Sequence, residues 1–195
     1  MQLIHKHVNI NSHLMHHGRL QYGLFLKGVG LSLEDSIIFF KNKYSRVTNE
    51  DKFEKEYSYN IRHYYGKEGK RADYHPWNCT KVQNLPTPGA KESHGCPFKE
   101  FSEDKMRKIL YDSKLKDTDV IGILEKKRNN EYSVACIRYF EAKHNVIPEK
   151  VGIHPNFYFE SYMKYVRQSK NFKSKTYVNS NKNTDVNVQK MEEFF

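Results

Sequence analysis

Residues 13–40 read HLMHHGRLQYGLFLKGVGLSLEDSIIFF. Two helix-length apolar runs are parted here by Gly28 and Gly30, which together mark a turn. Ser32 stands three residues before Asp35 and just ahead of Ile37, Ile38, Phe39 and Phe40. A hydroxyl at that offset can accept the third helical amide, and acids in a first turn suit the helix dipole. The pattern predicts a helix over about 32–44. Before the turn, Arg19–Leu26 reads as helix. Gly18 is expected to close an earlier helix as its left-handed C-terminal residue.

Outward from this core the chain continues in helical pieces. Residues 45–56 are charged and read as a loop with a short helix. Residues 57–79, YSYNIRHYYGKEGKRADYHPWNC, interleave Tyr57, Tyr59, Tyr64, Tyr65, Tyr74 and Trp77 with Arg62, Lys67, Lys70 and Arg71. Gly66, Gly69 and Pro76 argue against one long helix there. Residues 80–98 hold three of the six prolines and read as an irregular loop. Ser102 is placed to cap a helix over about 103–113, Asp117 opens another, and a third runs over about 131–143. Aromatic residues return over 157–165. From about 169 the chain is Asn, Lys, Ser and Thr, the composition of a disordered tail. The expected organisation is one domain over 1–168 and a tail over 169–195. The expected fold class is mainly α, with at most a small antiparallel β-sheet.

Composition removes several classes of function. Aromatic residues make up 14% of the 195, more than a disordered chain carries, so a packed core is expected. The longest apolar stretch, Leu24–Phe40, is broken by Lys27, Gly28, Gly30, Glu34 and Asp35, so no membrane span is expected. The opening MQLIHKHVNINSH has no apolar signal region, and an intracellular protein is expected. The formal charge of +10 favours a polyanionic partner, although a solvated basic surface has the same composition. No paired-carboxylate metal site is visible, so no catalytic residue is assigned.

Cys79, Cys96 and Cys136 contain no C-x-x-C pair, so zinc-ribbon and zinc-finger spacings fail. Two readings stand side by side. One is three unrelated buried thiols, since free cysteine is among the most buried residue types. The other is a metal centre. His94-Gly95-Cys96-Pro97 is a tight turn that can present a thiolate, and Pro after Cys recurs beside iron–sulfur ligands.

Two groups suit nucleic acid. Tyr57, Tyr59, Asn60 and Arg62 supply rings, an amide and a guanidinium within six residues, and alternation would put both rings on one side of an extended segment. Core packing is the competing role for each tyrosine. His13, His16, Arg19 and Gln21 gather donors near Gly18, where a guanidinium can grip a phosphate. Surface or capping roles compete for the histidines. Lys67, Lys70 and Arg71 are phosphate candidates by charge.

The order of these motifs closely resembles one family. HLMHHGRLQYGLFLKGVGLSLEDSI, SYNIRH with GKEGKR, HGCPF, EYSVACIRYFEAKHN and HPNFYFE follow the order found in the C-terminal domain of the large subunit of eukaryotic and archaeal-type DNA primase. The resemblance covers about residues 1–165, and the terminal MEEFF resembles a chain end of the eukaryotic branch. It implies a helical domain organised around a [4Fe–4S] cluster, with Cys79, Cys96 and Cys136 as three of its ligands. The fourth cysteine would fall at or just before Met1. A truncated chain is expected, and the rival is a three-cysteine site completed by histidine (such as His94) or water. The resemblance further implies that His13, His16, Arg19, Gln21, Tyr57, Tyr59 and Asn60 contact the template–primer end and the primer's 5′-triphosphate. Met15 departs from the family, where a basic residue is common, and puts one phosphate contact in question. The implied partners are template DNA, an RNA primer, the small catalytic primase subunit and the DNA polymerase alpha complex. The implied location is the nucleus in a eukaryote and the cytoplasm otherwise. A redox-responsive iron–sulfur DNA-binding protein is the alternative role, and a metal-dependent nuclease is a third.

Overall fold

A computed structural model describes the backbone of residues 1–174 and side chains as far as Arg167. The described chain forms two compact units. The first comprises Met1–Trp77 with Pro88–His94, and the second comprises Asn78–Thr87 with the chain from Gly95 onward.

The first unit is built from α1 (Gln2–Asn11), α2 (His16–Gly28), α3 (Leu33–Tyr44), α4 (Glu50–Lys52), a π-helical turn (Phe53–Ser58) and α5 (Tyr59–Tyr64). The Ser32 hydroxyl accepts the Asp35 amide at 3.0 Å and starts α3 where its spacing predicts. The boundary before α2 differs from expectation. The first helix closes at Ser12, which takes a left-handed φ of 52° and donates its amide to the Val8 carbonyl. Gly18 instead lies in the first turn of α2. A Cβ there would sit 2.4 Å from the Ser93 carbonyl oxygen, so the glycine serves a close backbone approach and not a helix end.

The core of this unit is aromatic. Tyr22, Phe40 and Tyr44 are fully buried with Val8, Leu14, Leu24 and Leu26. Tyr22 meets Phe40 edge-on at 6.2 Å, Phe40 meets Tyr44 at 5.7 Å, and Tyr44 meets Tyr57 at 5.0 Å. Each such pair adds about 0.5–1.5 kcal/mol beyond its buried area. Lys27, in the last turn of α2, donates to the Tyr64 and Tyr74 carbonyls and to Asp73 Oδ1, which pins the loop that follows α5. The expected small sheet reduces, among the described residues, to one antiparallel bridge between Tyr65 and Asp73.

The second unit contains α6 (Cys79–Gln83), α7 (Pro97–Glu100), α8 (Glu103–Asp112), α9 (Asp117–Arg128), α10 (Tyr132–His144) and α11 (Pro155–Ser174). The stretch expected to be irregular, 80–98, therefore carries helix at both ends. Asn78 caps α6 by accepting the Lys81 amide at 2.8 Å, and Pro97 fills the first position of α7, where a missing N–H costs nothing. Ser102 caps α8 as expected. The core is Phe98, Met106, Leu110, Val120, Ile123, Leu124 and Ala135, with Cys96, Cys136 and Tyr139 packed against it. Helix α11 runs to Ser174, and the remainder of the expected tail, with MEEFF, lies outside the described residues. No described helix is long and apolar enough to cross a membrane.

Candidate nucleic-acid interface and metal centre

The start of α2 is a positively charged terminus. Its N-cap residue, Met15, provides no side-chain acceptor, and no acid occupies the first turn. The leading amides of this 13-residue helix thus keep their partial positive charge. Around them stand His13, His16 and Arg19. His13 Nε2 lies 3.2 Å from the Tyr57 hydroxyl, and the Arg19 guanidinium lies 5.0 Å from the centre of the Tyr57 ring. Arg19 also donates to the Leu14 carbonyl at 3.0 Å. Among the described residues no carboxylate pairs with Arg19. Burial holds the imidazoles of both His13 and His16 below their usual range, and the Arg19 charge pushes each further the same way. The imidazoles are thus disposed to stay neutral, Arg19 is the fixed charge of the group, and an incoming anion would stabilise that charge and favour protonation of the histidines.

The expected tyrosine platform comes apart. Tyr57 and Tyr59 lie on helical backbone, in the π turn and at the start of α5, and not on an extended strand. Tyr57 is 8% exposed and packs with Tyr44 and Phe53, whereas Tyr59 is 43% exposed. Tyr59 instead aligns with residues that sequence reasoning missed. Its ring lies 6.3 Å from His63, and His63 lies 5.3 Å from Tyr74, itself exposed. The signal was the i, i+4 spacing of Tyr59 and His63 on a helix, which an extended reading hides. Lys67, Lys70 and Arg71 are exposed in the loop just beyond.

The other predicted residues divide. Asn60 is exposed, and its amide nitrogen donates to the Glu56 carbonyl. Gln21 is buried inside the unit. Arg62 is held by its own chain: it donates to Glu68 at 2.9 Å, to Glu54 at 2.8 Å and to the Ser58 hydroxyl at 2.7 Å. Its charge is balanced in place, in contrast to Arg19.

All three cysteines belong to the second unit. Cys79 begins α6, Cys96 is the N-cap of α7, and Cys136 sits within α10. Burial pushes the Cys79 thiol up to about 12, with Cys96 adding to the rise. Burial also raises Cys136, with Cys96 and Cys79 contributing in turn. Cys96 is raised by burial too, while the Lys99 and Phe98 amides pull it back. Three partly buried thiols whose ionisation is opposed by burial suit a cationic centre that would neutralise them. Among the described residues the one set of His, Cys, Asp and Glu ligand atoms all within 4.8 Å of each other is His17, Glu92 and His94. At least one pair of thiols therefore lies more than 4.8 Å apart, wider than the roughly 3.8 Å between ligand atoms on one tetrahedral zinc with ~2.3 Å bonds.

The chain has relatives among the large subunits of DNA primase. Residues 1–159 match the family described as the C-terminal domain of the large subunit of eukaryotic and archaeal DNA primase, and the chain belongs to it. It is 45% identical over 164 residues to the DNA primase large subunit of Mus musculus, covering 83% of this chain and 32% of that protein. It is 43% identical over 155 residues to the probable DNA primase large subunit of Arabidopsis thaliana, covering 80% and 34%. With the DNA primase large subunit of Saccharomyces cerevisiae the identity is 40% over 181 residues, covering 88% and 34%. The chain thus spans about one third of the length of these relatives.

Proposed function

We propose that this domain holds a template–primer junction and the 5′-triphosphate of the RNA primer while a separate catalytic subunit of DNA primase extends it. The observation that carries the reading is Arg19, a guanidinium without a carboxylate partner among the described residues, beside His13 and His16 at the uncapped start of α2. A guanidinium and free helix-terminal amides together suit a phosphate. Tyr59, with His63 and Tyr74, offers an exposed ring surface for an end base or base pair, and Asn60, Lys67, Lys70 and Arg71 flank it with donors.

The domain is a binding part of DNA primase and not itself the polymerase. Its partners would be template DNA, the primer, the small primase subunit and the DNA polymerase alpha complex, and its place in a eukaryote the nucleus. Cys79, Cys96 and Cys136 would hold three corners of a [4Fe–4S] cluster. Such a cluster ties distant segments together and carries a one-electron redox change. The chain's own contribution is to pack Cys96 and Cys136 against the Phe98–Met106–Leu110 core and to aim the Phe98 and Lys99 amides at Cys96.

The test is direct. A duplex with a 5′-triphosphate RNA strand and a 3′ template overhang should bind more tightly than the same duplex with a 5′-hydroxyl. Equal affinity for the two ends removes the triphosphate assignment.

A further inference from the structure

We propose that His17, Glu92 and His94 form a binding site for a zinc-class divalent cation. The site is separate from the three cysteines, and it does not depend on the nucleic-acid reading. Each of the three residues offers a ligand atom, and these atoms all lie within 4.8 Å of one another. All three belong to the first unit.

The backbone fixes this convergence. His17 stands in the first turn of α2, next to Gly18. The Ser93 carbonyl approaches Gly18 so closely that a Cβ there would lie 2.4 Å from its oxygen. Ser93 is flanked by Glu92 and His94. Docking Ser93 on Gly18 keeps both of its sequence neighbours close to His17, the residue before Gly18. The His17 and His94 rings lie 5.1 Å apart with their planes at 45°. His94 is buried and His17 and Glu92 are half-buried, so one side of the site is screened from bulk water. The Gly89 amide donates to Glu92 Oε2 at 2.8 Å and orients the carboxylate.

The donor set names the ion class. Two imidazoles and one carboxylate are a recurrent three-ligand set for zinc, with water or another oxygen in the fourth position. Mg²⁺ and Ca²⁺ prefer all-oxygen shells, and Cu(I) prefers sulfur. Bonds of ~2.1 Å in a tetrahedron set donor atoms about 3.4 Å apart, so closure from 4.8 Å or less needs movements of under about 1 Å per side chain. A bound ion would staple the 88–94 segment to the start of α2.

Co²⁺ titration of the whole chain, followed by absorption, tests the site, with Co²⁺ standing in for zinc. The expected result is one bound equivalent without a thiolate-to-metal charge-transfer band, displaced by Zn²⁺ and not by excess Mg²⁺. His17→Ala and Glu92→Gln should each weaken this equivalent at least tenfold and leave any thiolate band unchanged. Glu92→Gln keeps an oxygen for the Gly89 amide, so its fold should match the wild type by circular dichroism and melting. The proposal is overturned if every bound Co²⁺ carries the thiolate band, if both variants bind as the wild type does, or if Mg²⁺ competes.

Discussion

The Arg19 guanidinium lies over the Tyr57 ring, 5.0 Å from its centre, while Nη1 donates to the Leu14 carbonyl at 3.0 Å. The ring and the carbonyl hold the cation in position without neutralising it. Arg62 is held equally well, but by Glu54 and Glu68. Arg19→Ala should therefore erase most of the preference for a 5′-triphosphate and lower the log–log salt slope by about 0.7–0.9 per lost phosphate contact. Arg62→Ala should leave that slope near its wild-type value. Equal slope changes in the two variants, measured by fluorescence anisotropy across a salt series, would contradict the distinction.

The two tyrosines should separate in the same assay. Tyr57 packs in the core, so Tyr57→Ala should destabilise by about 3–5 kcal/mol, visible as an early melt. Tyr59 is exposed, so Tyr59→Ala should melt near the wild type and lose roughly 1–3 kcal/mol of binding, with Tyr59→Phe losing much less. A large binding loss in Tyr59→Phe would transfer the role from the ring to the hydroxyl.

These contrasts show what the sequence could express. Helix α3 was legible because its start signal is local: Ser32 and Asp35 need only each other. The α1–α2 boundary was not, because Ser12 supplies the left-handed residue that a glycine usually marks, and because Gly18 answers to Ser93, distant in sequence. The split of Tyr57 from Tyr59 was hidden by the π-helical turn, whose extra residue per turn shifts which side chains share a face. Arg62 looked like a ligand contact because its partners, Glu54 and Glu68, flank it at helix and loop distances that composition does not reveal. The cysteines and the cationic start of α2 were recognisable through motif order, and their roles rest on the resemblance.

Iron loading should depend on the three thiols together. Anaerobic reconstitution of the domain, extended upstream of Met1, should incorporate about four irons per chain if the cluster is of the [4Fe–4S] type. Cys79→Ser, Cys96→Ser and Cys136→Ser should each cripple that loading, read by iron analysis and visible absorption. Stoichiometric zinc with no iron would overturn the cluster assignment.

Gly18→Ala tests the backbone contact that brings 88–94 to α2. The added methyl would meet a carbonyl oxygen at 2.4 Å, and backbone cannot swing aside as a side-chain tip can. Alanine is otherwise the better helix former by about 1 kcal/mol. The expected outcome is a net destabilisation of about 1–3 kcal/mol by chemical denaturation, the cost of overpacking outweighing the propensity gain. A stabilised Gly18→Ala protein would show that Ser93 does not sit against α2.

Acid should weaken the fold through two kinds of group, buried histidines and then paired carboxylates. His5 and His144 are each lowered from 6.5 to about 4, chiefly by burial, with Lys43 adding to the first and Lys143 to the second. His5 Nδ1 lies 2.6 Å from the Tyr22 hydroxyl, and the neutral ring can make this contact as acceptor or donor according to its tautomer. His144 lies among Phe140, Tyr162 and Tyr165. Because the folded-state values lie below the unfolded one, the unfolded chain takes up protons first as pH falls. Stability is complete above about pH 6.5, declines toward pH 4 and levels off below it with respect to these two groups. The paired carboxylates Glu54 and Asp73, lowered by Arg62 and Lys27, lose their contribution as pH falls from the ordinary carboxylate range through their own depressed values, starting at the acid end of the histidine window. His5→Asn keeps an oxygen close to the position of Nδ1 and removes the titration. Its melting temperature should fall less than the wild type's between pH 7 and pH 4.5, with the losses below that window unchanged. Parallel melting curves for the two proteins across that range would assign the acid sensitivity elsewhere.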